Sequence, residues 1–254
     1  MDLGIKGKRV LVTGASQGIG RAIALAFAKE ECKVAVIARR ENKLKELIKE
    51  MGGESRGHSY YAGDLTRKGE IANAVKSLTF KKGNFEIIVH DIGGTLGLKD
   101  PLAPAEEWCK VWNFNVGIAI EMNSLVIPPM QKQKWGRVIH ISSISAESVR
   151  GATPYAAAKA YLNAYVKGVG RSLAKDGIIL SAIMPGAVYS EGGHWDENNP
   201  INSKDKEAFF KKKEDFIRHH HAIGRLGTPE EIASFAVFMA STHVTFAPAA
   251  IIPV

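Results

Sequence analysis

Cysteine is scarce in this chain. Cys32 and Cys109 are its two. They stand far apart without metal-ligand spacing and read as reduced, buried thiols. Long apolar runs are missing as well. No stretch approaches the roughly 20 apolar residues that a membrane-spanning helix needs. Met1–Lys6 has no apolar core or cleavage site resembling a secretory signal. A cytoplasmic protein with no membrane partner is expected. Acidic residues are in the minority, 26 against 34 basic ones, for a formal charge of +8. The basic residues are spread along the chain and no RNA- or DNA-binding motif accompanies them, so no nucleic-acid partner is expected. An anionic cofactor or substrate accounts for the charge better.

What is present suits a single α/β domain over residues 1–254. Hydrophobic residues make up 45% and charged residues 24%, an ordinary globular balance. Lys8–Thr13 reads as a buried strand that passes into Gly14-Ala15-Ser16-Gln17-Gly18-Ile19-Gly20 and then into a helix, Arg21–Glu31. Strand, glycine-rich turn and helix form the setting of a nucleotide-binding loop. Glycine lets the backbone approach a pyrophosphate, and the helix start offers free N–H groups to it.

Further strands are expected at Lys33–Ala38, His58–Ala62, Phe85–Val89, Arg137–Ser143, Ile178–Met184 and Pro248–Val254. Between them, Leu44, Leu47, Ile48 and Met51 mark one amphipathic helix, and Ile71, Val75 and Leu78 another. A long helix begins at Trp108–Val116 and continues through Met122–Met130, where Pro128 and Pro129 must kink or end it. The second strand ends in Arg39-Arg40, with Ala38 in place of an acid. An acid there bonds the ribose hydroxyls of NAD, whereas arginine accommodates a 2′-phosphate. NADP(H) is therefore preferred, with NAD(H) second.

The stretch with most chemical content is Pro154-Tyr155-Ala156-Ala157-Ala158-Lys159. Pro154 suits a helix start, and the alanines propagate the helix. Tyr155 and Lys159 then share one face. An ammonium one turn away favours the phenolate and is expected to lower the phenol pKa from its usual value of about 10.

The Gly14/Gly18/Gly20 spacing and the Y-x-x-x-K pair together resemble the short-chain dehydrogenase/reductase family, in a form similar to the 3-oxoacyl-acyl-carrier-protein reductases. The resemblance runs from Lys8 to Val254. It implies a Rossmann-type, doubly wound parallel sheet of about seven strands with helices on both faces. It also implies a catalytic set of Asn115, Ser143, Tyr155 and Lys159. Tyr155 would be the acid/base, Lys159 would lower its pKa and hold the nicotinamide ribose, and Asn115 would order a relay water. Ser143 would bind the substrate oxygen, with Ser142 the other candidate in the pair that ends the fifth strand.

Cofactor contacts are implied at Gly14, Ser16, Gln17, Gly18, Ile19, Gly20, Arg39, Arg40, Asp64, Leu65, Gly93, Tyr155, Lys159, Pro185, Gly186, Val188 and Ser190. Asp64 would meet the adenine amino group, although a turn or N-cap role also suits it. Ser190 replaces the threonine of the family's P-G-x-x-x-T element. The chain departs from the family at His90-Asp91-Ile92-Gly93, where Asn-Asn-Ala-Gly is usual. His90 is expected to supply a structural hydrogen bond there, with a second acid/base facing the active site as the alternative. Val254 is not followed by the family's common Asp-Gly-Gly tail.

Residues 191–222 correspond to a substrate lid. Gly192-Gly193, Trp195 and Asn198-Asn199-Pro200 read as a mobile entry, followed by an amphipathic helix around Phe209, Phe210, Phe216 and Ile217. The basic run Lys211-Lys212-Lys213 with Arg218 suits an anionic substrate, but Asp205, Glu207, Glu214 and Asp215 offset much of it, as on a solvated face. His219-His220-His221 lacks the spacing of a zinc-binding helix, and no metal is expected. Thr228, Pro229 and Glu231 read as a helix cap.

The expected activity is NADP(H)-dependent interconversion of a carbonyl and a secondary alcohol on a small-molecule substrate. Sugar phosphates, nucleotide sugars and 3-oxoacyl thioesters are the candidates. A non-catalytic NADP(H)-binding scaffold is the alternative. Family members are often homo-oligomers, dimers or tetramers.

Overall fold

Short continuous apolar runs, buried on both faces, build the central sheet. In the computed structural model, which describes residues 1–80, 82–148, 151–199 and 203–254, β1 (Arg9–Thr13) leads through the glycine-rich turn into α1 (Gly18–Lys29). Next come β2 (Lys33–Ala38), α2 (Glu41–Glu50), β3 (Ser59–Ala62), α3 (Glu70–Thr79) and β4 (Ile87–His90). A helical arm follows: α4 (Ala105–Trp112), a wider π-type turn (Asn113–Gly117) and α5 (Ile118–Gln133). The second half contains β5 (Gly136–Ile141), the short α6 (Ser145–Ser148), α7 (Thr153–Leu173) and β6 (Ile178–Met184). It closes with α8 (Lys206–His220), α9 (Pro229–Met239) and β7 (Ala250–Pro253).

The strands form one parallel sheet in the order β3-β2-β1-β4-β5-β6-β7, the expected seven-stranded Rossmann type. Successive residues of a strand face opposite sides. Val10 and Val12 thus pack with Ile23, Phe27, Leu44 and Ile232 on one side. Leu11 packs with Ile71, Met122 and Val166 on the other. The chain order reverses between β1 and β4, which pair through Val12 and Val89. Their C-terminal ends open the crevice where such sheets bind ligands.

Several local expectations need correction. α1 begins at Gly18 and not Arg21, so Gly18, Ile19 and Gly20 form its first turn and carry its unpaired N–H groups. Pro128 and Pro129 do not end α5, which continues to Gln133. Two missing N–H groups weaken that turn, while Val126, Ile127 and Met130 remain buried in the core and hold it. Cys109 is exposed, because it lies on the solvent side of α4, whereas Cys32 is buried as expected. The expected cap at α9 is present. Thr228 Oγ1 accepts from Glu231 N at 3.3 Å, and Glu231 Oε2 accepts from Thr228 N at 2.8 Å.

Of the expected lid, Pro200 and residues 201–202 lie outside the described residues. Trp195 packs with Phe209 and Leu226 in a small apolar cluster of its own, its ring 4.7 Å from that of Phe216. Among the described residues, no helix is long and apolar enough to cross a membrane.

Candidate active site

The nucleotide loop is shaped by close approach to β4. A Cβ on Gly20 would lie 2.7 Å from Asp91 Oδ2 and 2.8 Å from the Gly14 carbonyl, contacts that no side chain accommodates. Glycine is therefore required where α1 starts against the end of β4. Asp91 N donates to Thr13 Oγ1 at 3.2 Å, which ties that end to β1. The loop is thus a built cradle with helix N–H groups at its rim, and it fits a dinucleotide phosphate.

Arg40 closes one side of this cradle. Its guanidinium donates to Ser16 Oγ at 3.0 Å and to Gln17 Oε1 at 2.5 Å. Both arginines are exposed, and Arg39 instead lies in the field of Asp64. Asp64 Oδ1 accepts from Thr66 N at 3.1 Å and from Thr66 Oγ1 at 2.7 Å, a turn that lowers its pKa. Leu65 beside it is buried. On the far side, Pro185 O accepts from Ile144 N at 3.1 Å, and Gly186 N donates to Val254 O at 2.8 Å. Val188 bridges to Gly227, and Ser190 Oγ would lie 3.4 Å from a Cβ on Gly18. The residues after β6 therefore meet the nucleotide loop.

α7 delivers Tyr155 and Lys159, with Pro154 in its first turn. Lys159 is buried, and its Nζ donates to the Ile141 carbonyl at 2.8 Å. Nζ lies 5.7 Å from the centre of the Tyr155 ring. Burial pulls the ammonium down to about 8, opposed by the negative charge of Asp91. The Tyr155 phenol behaves differently from the expectation for a lysine neighbour. Its pKa is raised, first by burial, while a hydrogen bond with Ser143 lowers it and Asp91 raises it. Desolvation of the phenolate outweighs an ammonium that is turned onto the Ile141 carbonyl.

The two serines after β5 diverge. Ser142 is buried, and its hydroxyl donates to Asn163 Oδ1 at 2.7 Å, joining β5 to α7. Ser143 is half-buried, bonds Tyr155, and accepts at Oγ from Ser145 N at 3.1 Å.

Asn115 sits in the π-type turn. Its Nδ2 donates to Val111 O and to Gly94 O, both at 2.8 Å, and its Oδ1 accepts from Gly94 N at 3.0 Å. The side chain competes with the backbone for the Val111 carbonyl, which accounts for the widened turn inside the expected continuous helix. A Cβ on Gly93 would lie 2.6 Å from Asn115 Oδ1 and 3.0 Å from Lys159 Nζ. Gly93 is therefore the floor on which both groups meet.

His90 turns away from this crevice. Its Nε2 bonds Asn123 Oδ1 at 2.8 Å inside the core, and burial pulls its pKa down to about 4. The residue that sequence reasoning missed is its neighbour Asp91. The signal was the same departure from Asn-Asn-Ala-Gly, which replaces an amide by a carboxylate.

Residues 8–199 match the short chain dehydrogenase family. The chain is 30% identical to a 3-oxoacyl-[acyl-carrier-protein] reductase of Pseudomonas aeruginosa over 261 residues, 99% of this chain and 97% of that one. Its fold is similar to that of L-sorbose reductase from Gluconobacter frateurii complexed with NADPH and L-sorbose. The TM-score is 0.90 at 29% identity, over 100% of this chain and 97% of that chain. It is also similar to a 3-oxoacyl (acyl-carrier-protein) reductase from Agrobacterium tumefaciens C58 with NADP bound. There the TM-score is 0.86 at 26% identity, over 99% and 94% of the two chains.

Proposed function

The chain belongs to the short chain dehydrogenase family, and from that premise we propose that it uses NADP(H) to interconvert a carbonyl and a secondary alcohol with Tyr155 as acid/base. The observation that carries this reading is the convergence of Ser143 and Lys159 on Tyr155 beside the glycine-rich loop.

When bound, the nicotinamide supplies or accepts a hydride. The cradle of Gly14, Ser16, Gln17, Gly18, Ile19 and Gly20 holds the pyrophosphate, and Arg40, with Arg39 further out, meets the 2′-phosphate. Asp64 and Leu65 flank the adenine. Gly93, Pro185, Gly186, Val188 and Ser190 line the nicotinamide side, and Lys159 holds its ribose. NADPH in the sorbose reductase complex and NADP in the Agrobacterium reductase support this choice.

In the reductive direction Tyr155 gives its proton to the substrate oxygen. The raised phenol pKa keeps that proton on Tyr155 at neutral pH. Ser143 donates to the same oxygen and stabilises the charge that grows there. Lys159 carries positive charge beside the phenol below about pH 8. Asn115 fixes the Gly93–Gly94 segment next to Lys159 and orders the water through which the proton is replaced.

The substrate is small and anionic: a sugar phosphate, a nucleotide sugar or a 3-oxoacyl thioester. Residues 191–222 act as its lid, and α8 presents Lys211, Lys212 and His219, with Asp215 among them, around one open groove. The reading extends to a homo-oligomer in the cytoplasm, supported by the exposed apolar side chains Trp112, Leu125 and Tyr161.

A fluorescence titration with NADPH and NADH, followed by a screen of 3-oxoacyl thioesters and ketose phosphates, tests the proposal. NADPH binding with substrate-dependent oxidation supports it. NADPH binding without turnover on any carbonyl would favour a non-catalytic scaffold, and binding of neither nucleotide would remove the cofactor reading.

A further inference from the structure

Lys159 faces an electrostatic difficulty. Lys159 is 3% exposed, and among the described residues its ammonium donates to a neutral carbonyl, that of Ile141. A buried ammonium without a counter-charge tends to give up its proton. Around it stand Tyr155 on its own helix, Asn115 and Gly93 across the crevice, and His140 behind β5. None of these is an anion at neutral pH. His140 is held uncharged by burial.

Asp91 is the exception. It follows β4, and its carboxylate accepts from the Gly20 N–H in the first turn of α1. That N–H has no partner within the helix, and a negative charge is favoured at this end of the helix. The backbone of Asp91 is pinned to Thr13 Oγ1, and its Oδ2 is pressed against the Cα of Gly20. From this fixed point the carboxylate acts on Lys159, and Lys159 acts on it in return.

We propose that Asp91 is a positioning residue for the Tyr155/Lys159 pair, a counter-ion held at the nucleotide loop that keeps Lys159 an ammonium beside Tyr155. The proposal rests on the reading of that pair given above. The groups facing Asp91 are Lys159 and Tyr155 from α7, the Gly20 amide from α1 and Thr13 from β1; its neighbour His90 points into the core. Among the described residues, Lys159 is thus the one cation acting on it. Burial raises the Asp91 carboxyl and lowers the Lys159 ammonium, and the charge of each opposes the shift of the other.

The test is an NMR titration of 13Cε-lysine-labelled protein, with Lys159→Met to assign the resonance and Asp91→Asn and Asp91→Glu as variants. Asp91→Asn keeps an oxygen acceptor for Gly20 and removes only the charge. The Lys159 midpoint is expected to fall by about one pH unit or more in Asp91→Asn and to return in Asp91→Glu. An unmoved midpoint overturns the proposal. Should Asp91→Asn fail to fold, 13Cγ-aspartate titration of the unaltered protein decides: an Asp91 that stays uncharged at pH values between the two midpoints overturns it.

The alkaline limb of kcat separates this inference from the functional reading. A limb that moves with the Lys159 midpoint supports both. A midpoint that moves while the limb stays fixed leaves the counter-ion in place and removes Lys159 from the acid/base pair.

Discussion

The imidazoles of His90 and His140 stack face to face in the core, 4.6 Å apart and tilted by 18°. Asn123 joins them. It accepts from His90 Nε2 at 2.8 Å and donates towards His140 Nε2 at 3.4 Å and Tyr165 OH at 3.1 Å. This pattern requires two neutral rings, with the His140 proton on Nδ1, a buried atom that has no hydrogen-bond partner among the described residues. Protonating either ring places an unpaired charge in the core.

Acid stability should therefore depend on this stack. His90 takes a proton at about 4 in the folded chain against 6.5 ordinarily. The unfolded chain thus binds more protons between those values, so stability is complete above 6.5 and is lost as the pH falls towards 4. The difference corresponds to about 3 kcal/mol for His90 alone. Urea unfolding between pH 7 and pH 4 should show the midpoint falling in the unaltered protein and a shallower fall in His90→Asn. Identical slopes would mean that other groups govern acid stability.

Tyr155→Phe removes the hydroxyl and keeps the ring. If Tyr155 is the acid, kcat drops by about 100- to 10,000-fold while NADPH affinity stays within a factor of about 3. Parallel loss of turnover and NADPH binding would instead make Tyr155 a cofactor contact.

The two serines give opposite expectations. Ser143→Ala removes the hydroxyl beside Tyr155 and should lower kcat by about 100-fold or more with little change in melting temperature. Ser142→Ala leaves Asn163 without its buried donor and should cost about 1–3 kcal/mol of stability while kcat changes little. Reversed outcomes would exchange the two roles.

How far the sequence discloses this arrangement depends on the range of the interactions. The β1–loop–α1 unit was legible because a short apolar run, glycine spacing and helix periodicity are local properties of the chain. The cap at Thr228 and Glu231 was legible for the same reason. Of a kink or an end at Pro128 and Pro129, the end does not occur, because burial of Val126, Ile127 and Met130 overrides a local helix breaker. Cys109 misled because residue type does not say which side of α4 it occupies. Lys159 and Tyr155 could be paired by spacing, but the phenol's direction of shift follows from burial created by β4, β5 and α7 together. Asp91 matters only through Gly20 and Lys159, which lie 71 and 68 positions away in the chain, and no local pattern reports such contacts.

The choice between the two arginines is the last case where geometry changes the expectation. From sequence, Arg39 and Arg40 are both candidates for a 2′-phosphate, with Arg39 the one expected to set the NADPH preference. In the fold, both are exposed, but Arg40 reaches back over the loop to Ser16 and Gln17, whereas Arg39 lies in the field of Asp64. Only Arg40 is already held at the rim of the phosphate cradle. A charged hydrogen bond of this kind contributes about 1.5–3 kcal/mol, so Arg40→Ala should weaken NADPH by about 10- to 100-fold. NADH lacks the 2′-phosphate and should lose little. Arg39→Ala should change the NADPH-to-NADH ratio less, by a factor of about 3 at exposed-pair strength. Fluorescence titrations of both variants with both nucleotides measure this directly. Equal losses for NADPH and NADH in Arg40→Ala would mean that the arginine only braces the loop, and the basis for 2′-phosphate selection would then have to lie elsewhere.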